Sequence, residues 1–168
     1  QMCIRDSGTL VHMDWTEPAT GSIAAKAVPR LLLLCDELTE FLGGCPSRSK
    51  SHQCVVAALH EFDEDIPVIR RIWSDRAPEF RKAGVSIREL RPLAHYTSVP
   101  RRPTGNGKIE RKVQLVCENS TACIIQACFT ESWWTVAVLY WIAMYNGFAV
   151  GKDGMTPYYR RHAEHAPY

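Results

Sequence analysis

Apolar and polar residues along this chain fall into two repeating patterns. From Leu10 to Asp14 they alternate, Leu10, His12 and Asp14 against Val11 and Met13, which is the two-residue period of a strand. The span from Thr16 to Pro29 contains Pro18, Gly21 and Pro29 and reads as a connection. Arg30 to Cys35 is an unbroken apolar run suited to a central strand. Asp36-Glu37 turns the chain, and Leu38 to Cys45 returns as the antiparallel partner, with a bulge expected at Gly43-Gly44. Ser49 or Ser51 caps a helix that runs to about Phe62, with Val55, Ala58, Leu59 and Phe62 on one face. The acidic run Glu61, Asp63, Glu64 and Asp65 reads as a solvated helix exit. Ile66 to Trp73 is a fourth strand that delivers Asp75 to the edge of the sheet. Pro78 to Ala83 forms a short helical turn, and Val85 and Ile87, extending to Leu90, suit a fifth, edge strand.

From His95 to Gly107 the chain carries Pro100, Pro103, Gly105 and Gly107, which stop either neighbouring element from continuing. A helix then buries Ile109, Val113 and Val116, with Ser120 at the margin of the pattern, and leaves Glu110 on another face. The last long helix starts near Ser132 and is apolar nearly all round, so it should be buried. Trp133 and Trp134 belong to the core or to a contact between subunits. Strands, a helix, a strand, a turn, a strand and then helices make an α/β layer fold.

Composition narrows the picture only slightly. The 168 residues make one domain, and 46% hydrophobic with 23% charged residues is ordinary for a globular chain. A net charge of +2 is too small to mark a nucleic-acid binder, so any such signal must lie in where the charges sit. Seven cysteines without paired spacing form no disulfide framework and suit a reducing interior. Neither Cys123 with Cys128 nor His162 with His165 has a second pair at zinc-site spacing. The longest apolar run, Trp133 to Tyr145, is 13 residues against the roughly 20 of a membrane span.

The chemistry collects around three acids. Asp14 closes the first apolar stretch, Asp75 follows the fourth, and Glu110 lies on the first turn of a helix. Two strand-end aspartates and a helix-borne glutamate can converge on one point and hold divalent metal. Phosphodiester chemistry needs an activated attacking oxygen and a stabilised leaving oxygen, and two Mg²⁺ or Mn²⁺ ions about 3.5–4 Å apart serve both. Arg101, Arg102, Lys108, Arg111 and Lys112 surround Glu110, a placement that suits a phosphate backbone entering the site. Arg88, Arg91, Arg160 and Arg161 are weaker candidates. Glu79, four residues after Asp75, supports the local turn.

Several blocks occur in an order that resembles the catalytic core of retroelement integrases, the copia-like branch in particular. WSDRAPEF (73–80) is similar to that family's S-D-N-x-x-E-F block, and TSVPRRPTGNGKIERK (97–112) to its S-x-P-x-x-P-x-x-N-G-x-x-E-R block. LLLLCDELTEFLGGCPSRSKS, ESWWTVAVLYWIAMYN and GMTPYYRR resemble further family segments, so the likeness covers nearly the whole chain. The resemblance implies a ribonuclease H-like fold, a five-stranded mixed sheet flanked by helices, over residues 8–168. Residues 1–7 match nothing in the family and read as a non-native leader. It implies Asp14, Asp75 and Glu110 as catalytic metal ligands, with Asp14 bridging two ions. Arg101, Arg102, Asn106, Lys108, Arg111 and Lys112 are then contacts to double-stranded DNA, both element ends and target. The activity implied is metal-dependent end processing and strand transfer by a homo-oligomer, in the nucleus or cytoplasm and away from membranes. Arg76 departs from the pattern, standing where the family has Asn. A catalytically inactive DNA-binding or oligomerisation module is therefore the alternative.

Overall fold

The computed structural model describes residues 10–17, 30–63, 69–90, 92–98, 107–164 and 166. Five strands, β1 (Leu10–Thr16), β2 (Arg30–Asp36), β3 (Leu42–Ser47), β4 (Arg71–Ser74) and β5 (Ala94–Thr97), form one sheet in the order β3-β2-β1-β4-β5. The helices are α1 (His52–Asp63), α2 (Pro78–Leu90), α3 (Gly107–Gln126), α4 (Trp134–Phe148) and α5 (Pro157–His162). A 3₁₀ turn at Glu131–Trp133 leads into α4.

The apolar run of β2 places it at the heart of the sheet, because both of its faces are covered. Leu32 and Leu34 pack with Val11 and Met13 of β1, Val55, Leu59 and Phe62 of α1, and Phe80, Ala83 and Ile87 of α2. Leu31, Leu33 and Cys35 face the other way, onto Ile109 and Val116 of α3 and Trp134, Val138 and Ile142 of α4. The sheet is mixed: β1 runs antiparallel to β2 and parallel to β4, and β4 is parallel to β5. This is the five-stranded, helix-flanked sheet that the sequence leads one to expect.

The structure alters several element boundaries. β1 runs two residues past Asp14 to Thr16, so Asp14 lies within the strand rather than at its end. β3 starts at Leu42 instead of Leu38, because residues 37–39 form the turn. It has no bulge, since Leu34↔Gly43 and Leu33↔Gly44 pair in unbroken register. The two glycines admit helices instead: a Cβ on Gly43 would stand 2.4 Å from the Phe62 ring, and one on Gly44 2.6 Å from Ile142. β4 is the short segment 71–74, and residues 66–68 of the longer strand expected there lie outside the described residues.

The largest correction concerns residues 78–90. They form one 13-residue helix, not a turn followed by a strand. Buried Phe80, Ala83 and Ile87 recur at spacings of three and four, and that helical stripe outweighs the Val85–Ile87 alternation, which leaves Val85 exposed. The fifth strand is instead Ala94–Thr97, inside the stretch expected to be loop, held parallel to β4 with Ile72↔His95 in register.

α1 buries the four expected residues, and Ser51 Oγ accepts the Cys54 amide at its start. α3 buries Ile109, Val116, Ser120 and Ile124, while Val113 is half-buried. α4 is not buried all round. Trp134, Val138 and Ile142 pack inward, but Val136, Leu139 and Tyr140 are exposed because only one stripe of the helix meets β3 and α3. Asn146 joins α4 to the sheet: its Oδ1 accepts the Leu42 amide at 2.9 Å and its Nδ2 donates to the Leu42 carbonyl at 2.8 Å. Among the described residues no helix is long and apolar enough to cross a membrane.

Candidate active site

Parallel pairing of β1 with β4 brings two of the predicted acids to the same end of the sheet. Leu10 pairs with Arg71 and His12 with Trp73, an offset of 61 that equals the interval from Asp14 to Asp75; the pairing ends at His12, and Asp75 follows β4. Asp14 also pairs with Leu33 and Thr16 with Leu31, so its side chain lies on the α3 side of the sheet. There Thr16 Oγ1 meets Cys117 Sγ of α3 at 3.1 Å. The third acid, Glu110, is exposed on the first turn of that same helix, while Ile109 beside it is fully buried.

Local hydrogen bonds orient both aspartates. Asp14 Oδ1 accepts the Trp15 amide at 2.8 Å, and Asp75 Oδ1 accepts the Ala77 amide at 2.9 Å. Beneath Asp75, buried Ser74 donates Oγ to the Asp75 carbonyl and meets His95 Nε2 of β5, each at 2.8 Å. His95 approaches α2 closely, and a Cβ on Gly84 would stand 2.6 Å from its Nδ1. Burial and the charge of Arg88 hold the His95 pKa below its usual value.

Asp14 is the electrostatic centre of the group. Burial raises its pKa to about 6; the Trp15 amide opposes the rise, and the charges of Asp75 and Glu110 add to it. Asp14 therefore feels both of the other carboxylates. Even so, among the described residues no three His, Cys, Asp or Glu side chains are drawn together closely enough to hold a metal ion.

The cations distribute unevenly. Arg101, Arg102, Asn106 and Arg91 lie outside the described residues. Arg111 is exposed. Lys108 and Lys112 each have a glutamate partner. Lys108 Nζ donates to the Glu37 carbonyl at 2.8 Å and lies 3.1 Å from Glu37 Oε2. Lys112 Nζ pairs with Glu40 Oε2 at 3.1 Å and donates to Tyr145 Oη at 2.5 Å. Arg76 turns from Asp75 toward β5, donating Nε to the Ser98 carbonyl at 3.0 Å. Arg88 donates to the Leu93 carbonyl, Arg160 pairs with Asp153, and buried Arg161 sits between the Phe41 and Phe62 rings.

Glu37, Glu40, Tyr145, Ser74 and His95 are features of the site that sequence reasoning misses. Each acts through a partner brought near by the fold. One trace of them was readable: Glu37 and Glu40 lie three apart, and Lys108 and Lys112 four apart.

A mixed five-stranded sheet with helices on both faces, in this strand order, is the ribonuclease H-like fold of integrase catalytic cores. Three solved structures are similar to this chain. The catalytic core domain of BIV integrase matches with a TM-score of 0.67 and 17% identity, covering 90% of this chain and 91% of its own. The HTLV-2 integrase catalytic core domain, solved in complex with magnesium in a trimeric form, has a TM-score of 0.71 and 12% identity, covering 92% and 97%. A chain of the simian T-cell lymphotropic virus intasome in complex with PP2A regulatory subunit B56 gamma has a TM-score of 0.73 and 16% identity, covering 96% of this chain and 56% of its own. At these identities the likeness is one of fold. No protein-family model and no curated protein matches the sequence.

Proposed function

We propose that this chain is the catalytic core of a retroelement integrase of the copia-like branch. It would process the ends of element DNA and join them to target DNA. One observation carries the reading: Asp75, just past the end of β4, and Glu110, on the first turn of α3, both lie close enough for their charges to act on Asp14 of the neighbouring β1.

The donor set fits divalent metal. Three carboxylates offer only hard oxygen, and two of them lie near enough to Asp14 to add to the rise that burial causes in its pKa. Asp14, Asp75 and Glu110 would hold Mg²⁺ or Mn²⁺, which when bound would activate the attacking oxygen and stabilise the leaving oxygen at phosphorus. The chain's own part is positional. The Trp15 and Ala77 amides fix one oxygen of each aspartate and leave the other free. Arg111, with Arg101, Arg102 and Asn106, would take the phosphate backbone.

Double-stranded DNA is thus the proposed partner, together with further copies of the chain. The surface for a second copy would be the apolar groove of about 500 Å³ lined by Phe129, Trp133, Val136 and Tyr140. The inactive-module alternative draws on two observations: the three acids are not gathered for metal, and Arg76 follows Asp75.

Incubation with short duplex DNA and Mn²⁺ separates these readings. Products longer than the input demonstrate strand transfer, and shorter products alone indicate a nuclease. Unchanged DNA supports the inactive module. Asp75→Asn and Glu110→Gln should each abolish both products while leaving the fold intact, because each keeps side-chain size and removes a metal-binding charge.

A further inference from the structure

We propose that Lys108 and Lys112 are positioning residues. With Glu37 and Glu40 they clamp the first turns of α3 to the β2–β3 turn and so set where Glu110 stands over β1. The proposal rests on the reading of Glu110 as a metal ligand.

The two lysines lie one turn apart on the same side of α3, and the two glutamates occupy a single turn of chain between β2 and β3. Glu110 sits between the lysines in sequence but roughly 200° round the helix from each, so the clamp grips the side facing away from the acid. Fixing that side fixes the rotation of the helix about its axis. Glu37 is itself anchored, because its amide donates to the Leu10 carbonyl at 2.8 Å and its Oε2 meets His12 Nε2 of β1 at 2.5 Å. The clamp therefore ties Glu110 to the strand that carries Asp14.

Lys112 is the more enclosed of the pair, with its side chain 14% exposed. Its ammonium also lies 4.8 Å from the centre of the Tyr145 ring of α4, and Tyr145 Oη closes the triangle onto Glu40 Oε2 at 3.3 Å. Burial works against the charge of Lys112, but the bonds to Tyr145 and Glu40 outweigh it and raise its pKa. To reach a phosphate, Lys112 would have to leave both Glu40 and Tyr145. An isolated exposed ion pair adds little to stability. Two such pairs on one turn define an orientation, which one alone does not.

The test sets the clamp against a phosphate grip, because the two predict opposite effects for the glutamates. If the lysines grip DNA, Glu37→Gln with Glu40→Gln frees them and removes negative charge, so DNA binds more tightly and joining is at least as fast. If they clamp α3, the same variant lowers kcat for strand transfer, as a displacement of about 1 Å costs on the order of a hundredfold in rate. It also raises the Mn²⁺ concentration needed for half-maximal rate. Lys108→Met with Lys112→Met should have the same two effects and leave the salt dependence of DNA binding unchanged. A grip instead predicts that the slope of log affinity against log salt falls by about 0.9 per lost contact.

A reduced slope in the lysine variant, or faster joining in the glutamate variant, overturns the proposal. A far-ultraviolet circular dichroism spectrum like that of the wild type in both double variants guards against simple misfolding. If the wild type neither cuts nor joins DNA, the functional reading fails. Amide exchange at Arg111, Lys112 and Val113, the first amides of α3 with a carbonyl four residues earlier in the described helix, then decides the clamp: loss of protection in either double variant supports it, and unchanged protection refutes it.

Discussion

Replacing Asp14 by Asn should make the metal-free protein more stable at neutral pH and leave it unaltered in acid. The folded chain raises the Asp14 pKa from 3.8 to about 6, burial being the main cause. The folded state thus binds more protons than the unfolded one between these values, and stability falls as pH rises through that window. Above about pH 6 the full penalty applies; below about pH 4 it vanishes. Two pKa units correspond to at most about 3 kcal/mol, and screening by the water that still reaches this half-buried group reduces that to roughly 1–2 kcal/mol. Asn keeps the oxygen that accepts the Trp15 amide and cannot ionise. For a chain of this size each kcal/mol is worth about 2–4 °C, so the Asn variant should melt roughly 2–8 °C higher at pH 7.5 in chelator. At pH 4 the two curves should coincide. Excess Mn²⁺ should invert the ranking, since binding at a hundredfold excess over Kd adds about 2.7 kcal/mol to a chain with the intact acid group. Equal melting temperatures at pH 7.5 without metal would show that Asp14 carries no buried charge, and the electrostatic case for the site would fall with it.

Two further substitutions test the scaffold around the site. Asn146→Ala strands the buried amide and carbonyl of Leu42, at a cost of about 2–6 kcal/mol given 1–3 per unpaired group, and should lower the urea midpoint; a midpoint within error of wild type would refute that role. Gly84→Ala sets a methyl 2.6 Å from His95 Nδ1 and should cost about 1–3 kcal/mol by overpacking. The same change should slow any DNA cleavage, because His95 steadies Ser74 next to Asp75, and wild-type melting together with wild-type rate would show that the ring has room to move.

Much of the architecture is legible in sequence where one physical signal dominates. The first helix can be read to its four buried residues, because Val55, Ala58, Leu59 and Phe62 form a single stripe. The leucine run of β2 marks a strand covered on both faces. The 61-residue interval between Asp14 and Asp75 is also the offset by which β1 and β4 pair, so sequence spacing there carries register. Legibility ends where two signals compete or where both partners are remote. Val85 and Ile87 satisfy alternation within a segment whose Phe80, Ala83 and Ile87 also satisfy helical spacing. β5 is four residues long and half-exposed, too short for any period to show. The pairing of Lys108 and Lys112 with Glu37 and Glu40 is not readable, because those partners lie 71 and 72 residues away and only the fold joins them.

The bond between Asn146 and Leu42 has a consequence for self-association. β3 is an outer strand of the sheet, and its backbone groups at every second position point away from β2. Leu42 is one such position, because its amide and carbonyl go to Asn146 and not to the neighbouring strand, and Gly44 and Pro46 follow at the same phase. An incoming strand would find the Leu42 groups already occupied and no N–H at all on Pro46. That leaves the Gly44 amide as the one donor of the three still on offer. With α1 and α4 crowding the faces of the two glycines, this rim is poorly made for β-augmentation. Pairing of a further copy of the chain along this rim is therefore disfavoured, and the other edge of the sheet is the four-residue β5.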